Sequence, residues 1–337
     1  GGAVNVGQAT RTVGALAING AVDATGAIDI DADGTVAIAD VTVDGDAAIT
    51  IDTLQSIVLT GTLGGDSIAV RSENGKLDVN GLVTADGSTV LLSAGDNVSV
   101  TDTVTAVDGV TLTAGQSLAL NGNVNADSNS DGTGDIDLEA TSGSLEANGA
   151  LDGVNLTADA GIALTLTGDI DAAGDLTIGG AVVPAGSITI ESTTVEVEGT
   201  VSVTGGQDIT QASGSVITSN ANVELEAAGK VTVGTITALT GTVSIDADGE
   251  IVDNTGSAVN ITAATLDVNG AHSIGTDTDA LDTDVGTIEL ADVADNAWIS
   301  EAGAVVLDAT VAGILTLTAG DTGNTVDDFV TGTINGG

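Results

Sequence analysis

The sequence predicts an all-β protein wound as a parallel β-helix, or β-solenoid, with three strands in each coil of about 20 residues. Three observations predict it. Short apolar runs alternate at period two, the runs recur at a constant displacement, and turn-forming residues separate them. The segment from Ser88 to Gly109 carries Val90 and Leu92, then Val98 and Val100, then Val104. The next repeats them as Val110 and Leu112, Leu118 and Leu120, then Val124. Alternation within a run gives a strand with one buried face, and three runs per repeat give a coil with three walls.

The same pattern extends in both directions. Ile28 and Ile30, Ile49 and Ile51, and Ile68 and Val70 mark earlier coil starts. A third copy follows Val124 as Ile136 and Leu138, Leu145 and Ala147, then Leu151, and a fourth is read from Val154 and Leu156 through Ile162 and Leu164 to Ile170. Roughly 16 coils would fit the chain at this period. Residues 1–250 read as regular solenoid, and residues 251–337 as a less regular continuation with longer corner loops. Within the latter, Asp277 to Asp284 shows clustered acids and no clear strand pattern. The nearest approach to a helical segment is the short stretch Ala291 to Ala297. The competing fold, an antiparallel sandwich, normally uses varied hairpins and larger core residues.

Composition accounts for this choice. The 337 residues include 48 Gly, while aromatics are reduced to Phe329 and Trp298, Pro to Pro184, and Cys and Met are absent. Yet 42% of residues are hydrophobic, which sets the chain apart from sequences too polar to fold. A thin interior of β-branched and small residues, with a tight turn every few positions, reconciles the two.

Charge excludes whole classes of partner. Four basic residues, Arg11, Arg71, Lys76 and Lys230, face 49 acidic ones, for a net charge of −45. Nucleic acid and anionic membrane surfaces repel such a chain, and cations attract it. No apolar run reaches the roughly 18 residues of a membrane span, so membrane insertion is not expected. The opening Gly1-Gly2, without an initiator Met or signal-like segment, reads as a processed product or a piece of a longer chain.

The phrases Val110-Thr-Leu-Thr-Ala-Gly-Gln-Ser-Leu-Ala-Leu-Asn-Gly-Asn-Val, Gly206-Gln-Asp-Ile-Thr-Gln and Leu315-Thr-Leu-Thr-Ala-Gly carry a family resemblance, as does the stretch from Ile274 to Ile288. They resemble the repeats of large filamentous-haemagglutinin-like exoproteins, which are secreted bacterial adhesins. The resemblance implies a right-handed parallel β-helix, a cell-surface or extracellular location and a structural or adhesive role. The secretion domain and cap of such exoproteins are not evident, so the chain reads as a shaft segment or filament subunit.

The sharpest local motif is the stretch from Asp127 to Asp135, in which Asp127, Asn129, Asp131 and Asp135 match the start of a calcium loop with Gly132 at the bend. Calcium is therefore the cofactor expected here. Leu138 stands where an EF-hand would place its bidentate Glu, and Asp137 is a further candidate oxygen donor. The motif occupies a corner that lengthens its coil by about six residues, as an inserted loop would. The same residues are also ordinary turn formers. Weaker clusters are Asp29, Asp31 and Asp33, then Asp246 and Asp248, then Asp277, Asp279, Asp282 and Asp284; alternation along strands would stack such acids on the outer surface.

No catalytic constellation stands out, and a non-enzymatic protein is expected. With 49 acids, paired carboxylates carry no information. His272 has no second His or Cys beside it and reads as a loop residue; Trp298, beside Ile299, reads as local packing rather than a sugar platform. The function expected is thus an extracellular structural or adhesive rod, self-associating end to end, with its host-cell, glycan or matrix ligand undefined. The alternatives are a calcium-dependent surface-layer or adhesion module and a glycan-binding or glycan-cleaving β-helix.

Overall fold

A computed structural model describes residues 4–6, 14–43, 47–179, 186–320 and 334–336; Arg11, Pro184 and Phe329 lie outside them. No helix forms among the described residues. Strands pair in parallel to give a β-solenoid of about 14 turns at a spacing of roughly 21 residues. Two compact units are distinguished: one comprises Gly1–Ala163 with Asp171–Ala173, the other Leu164–Ile170 with Gly174–Gly337.

In the N-terminal unit the registers are those the period predicts. Val90 pairs with Val110, Leu92 with Leu112, Val98 with Leu118, Val100 with Leu120 and Val104 with Val124. All ten are buried. The first strand of each coil adds a third inward position that is always small: Ala32, Thr53, Ser72, Ala94, Ala114, Ala140 and Ala160. This position closes the corner, where a large side chain would collide with the next wall. Thr53 and Ser72 turn their hydroxyls onto corner carbonyls, donating to Gly34 O at 2.5 Å and Gln55 O at 2.6 Å.

The fourth coil starts two residues later than the sequence reading places it. Ile136 pairs with Leu156 and Leu138 with Ala158, and the second wall is built from Leu164 and Leu166. Ile162 sits on a bend, 59% exposed. A slip of two residues keeps every side chain on its own face, so alternation alone does not distinguish the two registers.

The C-terminal unit begins with short strands and then changes style. Its first wall runs through Val201, Val223, Val243, Leu266 and Ile288 to Leu307, paired coil by coil. From Thr235 onward, successive walls fuse into long strands, Thr235–Ala247, Ile261–Asn269 and Leu281–Val293, with register shifts at Ala238/Thr242 and Leu290/Val293. The stretch Asp277 to Asp284 is therefore part strand: Leu281, Thr283 and Val285 point inward and are buried. A Thr at an aliphatic position hides the pattern. The segment Ala291 to Ala297 is not helical; it holds the end of one strand, with Asp292 at φ 56°, a short link, and the start of the next strand at Ala297.

Corners stack as tightly as walls. A Cβ built on Gly81 would lie closer than 3.0 Å to the backbone of Gly61, the equivalent corner one coil earlier. The glycine is required by approach, since its φ is ordinary.

Candidate functional site

The loop that carries the predicted calcium motif is an extended corner of the N-terminal unit, between the strands Val124–Asn125 and Asp135–Ala140. Val110 pairs with Ile136, and the extra residues lie wholly between Val124 and Ile136. The loop folds on its own side chains. Asp127 Oδ1 accepts Asp131 N–H at 3.0 Å, and its Oδ2 accepts Gly132 N–H at 3.1 Å. Asn129 Oδ1 accepts the same Asp131 N–H at 3.2 Å, while its Nδ2 donates to Asp131 Oδ2 at 2.8 Å. Asp131 Oδ1 accepts from Thr133 N–H at 3.0 Å and from the Thr133 hydroxyl. These donors hold the Asp131 carboxyl below its ordinary range.

Asp127, Asn129 and Asp131 are thus brought together, and Asp135 is not among them. It opens the strand Asp135–Ala140, where its Oδ1 accepts Asn155 N–H at 3.1 Å and Asn155 Nδ2–H at 2.9 Å. Asp137 lies further along that strand, its carboxyl raised by burial and by the nearby Glu139 and Asp159. The hydrogen bonds are those of a closed Asx-turn loop. Among the described residues, no group of three or more His, Cys, Asp or Glu side chains is arranged to hold a metal ion.

The acidic rows differ between units. Asp31 pairs with Asp52, and Arg71 follows in the same row, while Asp29 is flanked by Thr50. In the C-terminal unit Asp267, Glu289 and Asp308 stack on three successive coils, and Glu226 stands beside Asp246. Together with Asp248, the latter pair lines a shallow groove. Arg71, Lys76 and Lys230 are exposed. His272 occupies an exposed bend, its N–H donating to Gly249 O at 2.8 Å, and Trp298 is half-buried on an outer face.

Two constructions escape a reading by motif. The first is a corner clamp: an Asn or Asp Oδ1 accepts a backbone N–H of the following coil. Asp40 takes Thr62 N–H, Asn97 takes Ser117, Asn123 takes Ala150, Asp208 takes Lys230, Asn222 takes Thr242 and Asn296 takes Ile314, at 2.7–3.0 Å. Asp40 and Asp208 are thus structural acceptors at corners, in the same role as the four Asn.

The second is a buried polar seam in the C-terminal unit. Gln211 ties three strands, its Nε2 donating to Ser215 O at 3.0 Å and Thr235 O at 2.8 Å while its Oε1 accepts Gly234 N–H at 3.1 Å. Asn260, fully buried, donates to Val233 O at 3.1 Å and Asp253 Oδ1 at 2.6 Å, and its Oδ1 accepts Asp282 N–H at 3.0 Å. Glu301 is 2% exposed and accepts from Thr283 Oγ1 at 2.7 Å, Val285 N–H at 3.2 Å and Gly303 N–H at 3.0 Å. Burial raises its carboxyl, against the lowering effect of those donors. The signal was parity: Asp253 follows Ile251, and Glu301 follows Ile299, at inward positions.

Coil, core and register define the chain as a parallel β-solenoid repeat protein. A scan against protein-family models, a search of curated proteins and a search of solved structures each found no match.

Proposed function

We propose that the chain is an extracellular structural or adhesive segment, a shaft piece or subunit of a cell-surface fibre. The observation that carries this reading is the ladder of parallel coils, regular in register through the N-terminal unit, with aliphatic walls inside and acidic, Thr- and Ser-bearing faces outside. Each coil repeats the backbone hydrogen bonding of the last, so a further coil from another copy would extend the ladder without a new type of contact. End-to-end association is the corresponding mode of assembly. The resemblance of the repeat phrases to filamentous-haemagglutinin-like exoproteins supports the adhesive side of the proposal.

Protease treatment of intact producing cells, followed by electron microscopy of the purified chain, tests it. Loss of the protein from the cell surface, with rods or fibres in the micrographs, is expected. A protease-protected intracellular pool, or compact particles at every concentration, would overturn it.

A further inference from the structure

The long strand Leu281–Val293 passes from one wall to the next, and its pairing with the following coil is interrupted there: it stops at Thr283 with Glu301 and resumes at Thr287 with Val306. The Glu301 side chain fills the gap. Its carboxyl accepts Val285 N–H, shared at 3.2 Å between both oxygens, and its Oε1 also accepts Gly303 N–H at 3.0 Å. Its Oε2 lies 2.7 Å from the hydroxyl of Thr283, which is buried as well. That hydroxyl has a second acceptor, Ser300 O at 3.4 Å, a long contact while its proton points at the carboxylate. Ionised Glu301 takes the Thr283 proton. Neutral Glu301 must instead donate, and of its three partners only Thr283 Oγ1 can accept, because the other two are backbone N–H groups. The Thr283 proton then turns to Ser300 O, and both protonation states are satisfied on one backbone.

We propose that Glu301 and Thr283 form a proton-operated latch, a buried hydrogen bond that reverses direction when the carboxyl takes up a proton and closes the corner more firmly in the neutral state. The charges around it favour that state. Asp284, exposed on Leu281–Val293, adds negative charge nearby, and Asp282 lies on the outer face of the same strand. Leu315–Ala319, paired with Ala297–Glu301 on its other side, carries no charged residue, nor do Ser273–Ile274 and residues 302–305. No basic residue follows Lys230 in the sequence. Burial therefore raises the carboxyl against the lowering effect of its donors, and Asp284 adds to the rise. The stability held by this proton is present below the unfolded pKa and is lost as pH rises through the folded one. Acid thus tightens the coil, the reverse of what it does to a carboxylate held by a cation.

Urea midpoints of the full chain at pH 4 and pH 8 test it, each variant compared with the parent at the same pH so that the other acids cancel. Thr283→Val should lower the midpoint by roughly a few tenths molar at both pH values, because the hydroxyl serves the neutral and the ionised carboxyl alike. Glu301→Gln, whose amide donates as the protonated acid does, should match the parent at pH 4 and exceed it at pH 8. Carbon-13 NMR of the parent reads the proton directly. The Glu301 carboxyl carbon, assigned by the signal missing from Glu301→Gln, should titrate above the ordinary glutamate value of about 4.3. A Thr283→Val loss confined to pH 8 would mean a bond that does not reverse, and titration at or below the ordinary value would mean that no proton is held; either result overturns the proposal.

Discussion

The Oδ1 of Asn222 accepts the backbone N–H of Thr242, one coil further along the chain, at 3.0 Å. The clamp ties the corner at Asn222 to the long strand Thr235–Ala247 of the following coil. Asn222→Ala should therefore cost about 1 kcal/mol, the usual worth of a hydrogen bond. Asn222→Asp should be nearly neutral, because Asp40 and Asp208 make the same bond elsewhere. Urea denaturation of the three chains measures both effects.

Close approach at the corners gives a steric prediction. Gly81→Ala forces a Cβ into the Gly61 backbone, which has no flexible end to yield, and a loss of about 1–3 kcal/mol is expected. Gly20→Ala, with no atom within 4 Å of the added carbon, should be harmless. Midpoints in urea distinguish them.

The walls give a packing prediction. Leu112 is fully buried between Leu92 and Leu138, and Leu112→Ala should cost about 2–5 kcal/mol. Leu91, on the same strand wall but 43% exposed, should cost much less on the same substitution. Comparable losses at both positions would contradict the inward and outward assignment.

The pH dependence has a definite sign. The carboxyls of Asp137, Asp152, Asp279 and Glu301 are raised in the fold, in each case by burial first. A raised carboxyl holds its proton more tightly when folded, so the stability it contributes is present below its unfolded pKa and is lost as pH rises through the folded one. Asp131 acts in the opposite direction, but it is fully exposed and contributes little. The chain should therefore be more stable near pH 4–5 than at pH 7 or above, as urea midpoints across that range would show. Glu301→Gln should flatten the slope.

Net charge gives a salt prediction. With 45 negative charges in excess, sodium chloride should raise the melting temperature and level off as screening saturates within a few tenths molar. A melting temperature indifferent to salt would mean that the acidic rows are already neutralised within the fold.

How much was legible depended on which property carried the information. Val90, Leu92, Val110 and Leu112 announced their register because a period-two wall repeats its side chains at a constant displacement. The fourth coil was misplaced because a two-residue slip preserves every face. Thr283 concealed a strand because a Thr facing inward reads as polar. The loop from Asp127 to Asp135 was recognised as an inserted corner, but the direction of its carboxylates was not: Asp135 turns away to Asn155, a residue of the next coil. Asp253 and Glu301 stand two residues after Ile251 and Ile299, so the alternation places them inward, whereas Asn260 is buried directly beside Ile261 and no alternation marks it.

The sequence by itself determined a coiled, parallel, thin-cored solenoid, since alternation, small corner residues and the repeat all act locally or between neighbouring coils. Only the tertiary structure decided what the polar residues do. Whether an Asx clamps a corner, closes its own loop as Asp127 does, or is buried against another polar side chain as Asp253 is against Asn260 depends on what the adjacent coil places within about 3 Å. That distance is set by corner lengths that differ from coil to coil, and no pattern along one strand encodes them.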